Sequence, residues 1–275
     1  MGLGLASGLF WGLDTAILSL AFLTAPLLGV GDAPWLGAAL HDGFAALLVF
    51  VVLVSAGRFQ QVKAALRTKG ALVVMAAALI GGPIGMSGYL SAIKTLGPGL
   101  TAMFSAFYPA LGSFLAIKVL HERMCGRQIL AMLAALGAIM VLGVVTAGGD
   151  GPSGSVSVGL VSAAICVVGW GSEAVILAWG MRDQGMEDVV ALGIREASSA
   201  MVYLLVVVPS LGCAGFLPQV IASASGRYIG LAALSGTVSY LLYYKAINRH
   251  GASRAMAGNI SYALWATLFL SLIHI

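Results

Sequence analysis

Charge is what this sequence has least of. Only 9% of its 275 residues are Asp, Glu, Lys or Arg, against 60% hydrophobic residues. Soluble domains carry about 25% charged residues, so this balance, with a mean hydropathy of +1.01, excludes that class and leaves an integral membrane protein. Cysteine is scarce too. Cys125, Cys166 and Cys213 are far apart and lack Cys-x-x-Cys spacing, which argues against a disulfide framework or a metal site and leaves them as packing residues. The chain has no Gly-x-x-x-x-Gly-Lys-Ser/Thr loop, no His-Glu-x-x-His and no Gly-x-Ser-x-Gly. An ATP-driven pump and soluble-type catalysis are excluded on that ground, and neither a catalytic residue, a metal nor a cofactor is expected. No basic n-region precedes the first apolar run, so a retained helix is expected there rather than a signal peptide. The net charge of +4 is spread over connections without an aromatic-interleaved basic face, which does not suit nucleic acid.

What the chain does have is a series of apolar runs. At about 20 residues per membrane span, they predict helices over 3–23, 34–56, 70–93, 97–120, 128–146, 158–179, 189–208 and 228–246, and a ninth from 251. Gly81-Gly82-Pro83 should loosen or kink the third helix, and the fourth carries Pro109. The run Gly148-Gly149-Asp150-Gly151-Pro152-Ser153-Gly154 has the composition of an exposed linker. It divides the chain into 1–147, a linker 148–157, and 158–275. All Lys and Arg except Lys94, Arg195 and Arg227 fall in the connections after the second, fourth, sixth and eighth helices or at their ends. The positive-inside rule then makes those connections and the amino terminus cytoplasmic, in a bacterial-type inner membrane.

One phrase occurs twice: Trp11-Gly12-Leu13-Asp14-Thr15-Ala16-Ile17-Leu18 and Trp170-Gly171-Ser172-Glu173-Ala174-Val175-Ile176-Leu177. Each sets a carboxylate inside an apolar run, where a charge costs roughly 2.5–3.5 kcal/mol and faces a cavity or a partner rather than lipid. The phrases are 159 residues apart, and a shift of 154 places His41-Asp42 on Arg195-Glu196 and Gly82, Tyr89, Gly97 and Tyr108 on Gly236, Tyr243, Gly251 and Tyr262. Five helices per half would give the halves opposite orientations, and inverted repeats are a transporter signature.

Trp11-Gly12, the passage from Tyr89-Leu90-Ser91-Ala92-Ile93-Lys94 to Gly97-Pro98-Gly99, Tyr108-Pro109 and His121-Glu122-Arg123 resemble the drug/metabolite transporter superfamily in its EamA-like branch, over nearly the whole chain. The resemblance implies an all-α fold of ten helices in two inverted five-helix repeats. It further implies export of a small metabolite, an amino acid or similar solute, by alternating access around a central cavity. Here nine helices are expected, with the tenth truncated. Leu270 to Ile275 looks like the in-frame translation of a sequencing-library adapter, with a genuine nine-helix protein as the alternative.

The candidate solute-contacting residues are Trp11, Asp14, Tyr89, Ser105, Tyr108, Trp170, Glu173, Asn259 and Tyr262. Asp14 lies about 18 Å along its helix, near the midplane. It and Glu173 can bind a cationic group or take up a proton; a structural hydrogen bond or ion pair is the alternative, of equal weight for Asp14 and slightly favoured for Glu173. His41-Asp42 and Arg195-Glu196 sit at equivalent depths, and a cross-repeat salt bridge is the expected arrangement. With Asp14 and Glu173 they make up a candidate proton-coupling or ion-pair network. The repeated aromatic rings suit an apolar solute or, by cation–π attraction, an amine. Ser105 and Asn259 are expected as hydrogen-bonding positions, and Tyr243 and Tyr244 as interfacial anchors. The partners are the bilayer, a small solute and protons. The competing functional readings are a lipid-modifying intramembrane enzyme using His41-Asp42 and a non-transporting membrane scaffold.

Overall fold

The computed structural model describes residues 2–146 and 155–273. Most of the expected linker and the last two residues of the adapter-like tail lie outside the described residues. Among the described residues there is no strand, and nine long helical segments follow one another. They are α1 (Gly2–Phe22), α2 (Ala33–Ser55), α3 (Lys69–Leu79, continued through Ile80–Met86 and Ser87–Leu96), α4 (Pro98–Ser105 and Tyr108–Val119), α5 (Gly126–Thr146), α6 (Val156–Gln184), α7 (Asp188–Val202, continued through Tyr203–Val207 and Val208–Ser210), α8 (Ala224–His250) and α9 (Ala252–Asn259 and Tyr262–Leu272). A short helix, Phe59–Ala65, unforeseen in the sequence, sits in the basic connection after α2.

Six of the described helical stretches are long and apolar enough to cross a membrane, which makes this a multi-pass membrane protein. The surface shows the same environment. Leu47, Phe50, Val51 and Val54 of α2 and Leu130, Leu133, Val141 and Val144 of α5 are exposed, whereas Asp14, His41, Asp42, Glu173, Arg195 and Glu196 are buried. A water-soluble protein sorts these residue types the other way round.

Local chemistry explains several of the helix ends and irregularities. α3 and α8 both begin at a hydroxyl cap, Thr68 accepting from the Ala71 N–H and Ser223 from the Gly226 N–H. Both also end on a glycine with positive φ, Gly97 at 82° and Gly251 at 92°. That conformation is open to glycine at little cost and turns the chain into the next helix with no further loop. Pro83 lies in a π-helical stretch, Ile80–Met86, so the predicted loosening of the third helix takes the form of a wide turn within a continuous helix. Pro109 lacks an N–H and crowds the carbonyl of Ser105, and α4, expected as one helix over 97–120, is broken at Ala106-Phe107. α9 is broken at Ile260-Ser261, 154 residues later, with no proline nearby.

α1 packs on α8 and α9, and α2 packs on α7 and α8; α6 runs along α3 and the second part of α4, and α5 lies on the first part of α4. Gly4, Gly8 and Gly12 let α1 approach the α9 backbone, since a Cβ on Gly4 would lie 3.1 Å from the Gly258 Cα. The two groups of helices meet where Lys69–Leu79 packs on α7 and Ala252–Asn259 packs on Tyr108–Val119. These contacts lie toward the face bearing the connections after α2, α4, α6 and α8. Polar ties secure that face: Glu122 accepts from the Ala252 N–H (2.8 Å), the Ser253 N–H (3.0 Å), the Ser253 hydroxyl (2.6 Å) and Arg182 (3.0 Å). Arg58 pairs with Glu187, and Asn248 donates to Asp188.

Candidate functional site

The cavity with the richest chemistry lies among α1, α3, α4, α6, α7, α8 and α9 and has about 60 Å³ of room for the centres of water-sized spheres. A single water needs about 10–15 Å³ on that measure, so the space suits a solute of a few heavy atoms. Rings dominate its wall: Trp11, Tyr108, Trp170, Tyr240, Tyr243 and Tyr262. Trp11 meets Tyr240 edge-on with centroids 5.1 Å apart, and Tyr108 meets Trp170 at 5.8 Å and 90°. Both contacts have the edge-to-face geometry that aromatic quadrupoles favour. Met86 completes the apolar lining, and Glu173, Arg195, Ser239 and Asn259 supply polar atoms.

The polar end is wired into the helices around it. Tyr108 donates to the Asn259 Oδ1 (3.0 Å), the Asn259 amide donates to the Ser7 Oγ (2.8 Å), and Ser7 shares a 3.1 Å hydrogen bond with Ser239. Asn259 is the last residue before the break in α9. Its side chain is thereby held by α4 and α1 directly and by α8 through Ser7, which supplies a tertiary cause for a bend that has no proline.

Behind the rings lies an ion network. Arg195 donates from Nε to Glu173 Oε1 (3.1 Å), from Nη1 to Glu196 Oε1 (3.1 Å) and from Nη2 to the Tyr240 hydroxyl (3.1 Å), and its Nη1 lies 3.7 Å from Asp42 Oδ2. The guanidinium also sits 4.6 Å from the Tyr240 ring centroid, so one arginine binds a carboxylate on each of three helices while stacking on the cavity wall. His41 places Nε2 3.1 Å from Asp14 and Nδ1 3.3 Å from Asp42, and Ser199 donates to the other Asp42 oxygen at 2.5 Å. Glycines make room for these groups. Glu173 lies against Gly81, Ser199 against Gly82 and His41 against Gly236, at places where a Cβ would collide. Among the described residues Glu196 Oε2 is buried with no hydrogen-bond partner.

Of the sequence candidates, Trp11, Tyr108, Trp170, Glu173, Asn259 and Tyr262 line the cavity. Tyr89 stands behind the wall with its ring 5.1 Å from that of Trp170, and Ser105 is buried at the α4 break. Asp14 is not among the lining residues. It is 3% exposed and faces His41, so the two repeated carboxylates do not stand on opposite walls of one cavity. The expected cross-repeat bridge is Asp42 to Arg195, and each base also reaches its own neighbour, His41 to Asp42 and Arg195 to Glu196. Tyr243 lines the cavity and Tyr244 is 1% exposed, so neither is the surface anchor expected. Cys125 is exposed, unlike Cys166 and Cys213, and is not a packing residue.

Ser239, Tyr240 and Met86 were not foreseen as lining residues, and Arg195 was expected only as an ion-pair member. Gly236, Ser239, Tyr240 and Tyr243 recur at i, i+3, i+4 and i+7, so one small-and-polar stripe on α8 is the signal that could have found two of them. Met86 carries no such signal, because the π-helical stretch sets which way its part of α3 faces.

No family model matches the chain. Over 195 residues it is 31% identical to Protein LicB of Haemophilus influenzae, a match that takes in 68% of this chain. The chain spans 62% of the length of that curated relative. A solved crystal structure aligns with a TM-score of 0.72 at 20% identity, covering 98% of this chain and 88% of the other. At that identity the likeness is one of fold.

Proposed function

We propose that the protein is a secondary transporter of the drug/metabolite transporter type that carries a small organic cation by alternating access between two inverted repeats. The observation that carries the reading is the cavity: six aromatic rings and Glu173 converge on a space sized for a few heavy atoms. Ring faces attract cations, most strongly when water is excluded. Glu173 is paired with Arg195, which lines the same space, but four carboxyl groups stand against two bases behind the rings, and it is this surplus that supplies the countercharge. Ser239 and Asn259 can hold a hydroxyl or carbonyl group on the same solute.

Three features at spacings close to 154 residues support the repeat: the hydroxyl caps Thr68 and Ser223, the glycine turns Gly97 and Gly251, and the breaks at 106–107 and 260–261. The polar ties through Glu122 and Arg58 close the basic face in this state, and their release is the movement that alternating access requires. On this reading the basic face and the amino terminus are cytoplasmic, the membrane is the inner membrane, and export is the direction the sequence resemblance implies. In the ion network four carboxyl groups share one arginine and one histidine, so it is also the place where a coupling proton can be held. The lipid-modifying alternative draws no support from His41, since both its ring nitrogens are taken by carboxylates and it does not line the cavity.

The test is ligand-induced thermal stabilisation of the purified protein by tetramethylammonium and by its neutral isostere, neopentane-type alcohols serving as soluble stand-ins. Stabilisation follows the logarithm of ligand concentration over Kd. The expected result is a shift with the cation that is absent with the neutral compound and lost in Glu173→Gln. Equal shifts with both compounds, or none with either, overturn the cation reading.

A further inference from the structure

The short helix Phe59–Ala65 takes no part in the cavity, yet its two faces differ sharply. Val62 and Ala65 pack against the main hydrophobic core. Phe59 and Leu66 are exposed, and so are Lys63, Arg67 and Lys69. Phe59 and Lys63 are four residues apart on this helix and share a face, and Arg67 lies in the turn that follows it. Arg58 is tied to Glu187 and holds the start of this helix to the α6–α7 connection.

The depth of the helix follows from its aromatic contacts. Phe59 meets Phe50 edge-on at 5.6 Å, and Phe50 is an exposed residue on the lipid-facing side of α2. Phe50 precedes the end of α2 at Ser55 by five residues, about 8 Å of helix. The Phe59 ring is thereby set at the boundary between acyl chains and headgroups, where amphipathic helices place their aromatic side chains. The Lys63 Nζ lies 5.0 Å from the centroid of that ring, so its charge is at headgroup level. Among the described residues Lys63, Arg67 and Lys69 have no acidic partner.

We propose that this helix and the basic residues after it form a binding site for an anionic phospholipid headgroup, with Lys63, Arg67 and Lys69 on the phosphate and Phe59 and Leu66 beside the acyl chains. Each basic residue near a membrane surface strengthens anionic-lipid binding about fivefold, so the three together account for roughly a hundredfold. The site lies apart from the solute cavity, and its existence does not depend on what is transported.

Native mass spectrometry of the full chain, released from micelles containing equimolar phosphatidylglycerol and phosphatidylcholine, tests it. The wild type is expected to retain phosphatidylglycerol in preference to phosphatidylcholine, and the variant K63Q/R67Q/K69Q to lose that preference by roughly a hundredfold. Arg227→Gln, an exposed arginine just inside α8 and outside the proposed site, should keep it. These residues are on the surface, so a single monodisperse chromatographic peak for each variant separates lost lipid from lost fold. The proposal is overturned if the triple variant keeps the preference, if the wild type shows none, or if soluble glycerol phosphate displaces the lipid as well as phosphatidylglycerol does.

Discussion

The two halves of the chain build the same charged motif from different bases. In the first, Asp14 of α1 meets His41 of α2, which also contacts its neighbour Asp42; in the second, Glu173 of α6 meets Arg195 of α7, which also contacts its neighbour Glu196. The base-to-acid distances are alike, at 3.1 and 3.3 Å against 3.1 and 3.1 Å. The chemistry differs. Arginine is charged under all conditions proteins meet and offers several donors, whereas histidine can release its proton and remain a hydrogen-bonding partner. Arg195 accordingly anchors Glu173 at the cavity and reaches across to Asp42, while His41 is held between Asp14 and Asp42 and does not line the cavity. The longer Glu173 reaches the cavity wall and the shorter Asp14 does not. A duplicated pattern has thus come to hold one fixed charge centre and one adjustable one.

The sharpest way to break this comparison is to remove each base. Arg195→Ala leaves Glu173 and Glu196 without their cation and should destabilise the protein by about 3–5 kcal/mol, as uncompensated buried charges do. His41→Ala should cost about 1–3 kcal/mol, the penalty of unpartnered polar groups. Thermal unfolding of both variants in the same detergent checks the order, and equal losses would mean that the two bases play equal parts. Gly81→Val comes next. Its side chain would occupy the place of the Glu173 carboxylate, and the strain should cost about 1–3 kcal/mol and abolish stabilisation by tetramethylammonium.

A smaller effect is expected at the tryptophans. Trp170 donates from Nε1 to the Gly81 carbonyl at 3.1 Å, pinning the π-helical stretch of α3 to α6. Trp170→Phe removes that hydrogen bond and should cost about 1 kcal/mol, read as a lower unfolding midpoint. The smallest stability change is expected for Asp14→Asn, whose amide can still bond His41. Transport into proteoliposomes per folded molecule should nevertheless fall at least about tenfold if the first-half motif carries the coupling proton. Unchanged transport would leave Asp14 a structural residue and take proton coupling away from the first-half motif.

Particular residues show how far the sequence could be read. Trp11, Trp170, Tyr108 and Tyr262 stood out because they repeat, and all four line the cavity. Ser239 and Tyr240 carry only a weak mark, the small-and-polar stripe they share with Gly236 and Tyr243 on α8, which does not say what that face meets. Only the approach of α8 to α1 and α7 makes them cavity residues. Tyr243 and Tyr244 misled in the opposite sense. Their position near a helix end suggested the interface, but α8 runs to His250, beyond the predicted end at 246, and carries them inward.

By itself the sequence determined the membrane class, the order of the helices, the loosening at Gly81-Gly82-Pro83 and the pairing of His41-Asp42 with Arg195-Glu196. These follow from hydropathy, backbone chemistry and repetition, which act locally or leave a direct trace in the residues. The tertiary structure alone decided that α9 bends without a proline, that Glu173 reaches the cavity while Asp14 turns to His41, and that one arginine gathers three carboxylates. Those outcomes depend on how each helix is rotated and how closely it approaches its neighbours. A buried charge takes whichever partner that packing brings within about 3 Å, and no local pattern of residues specifies it.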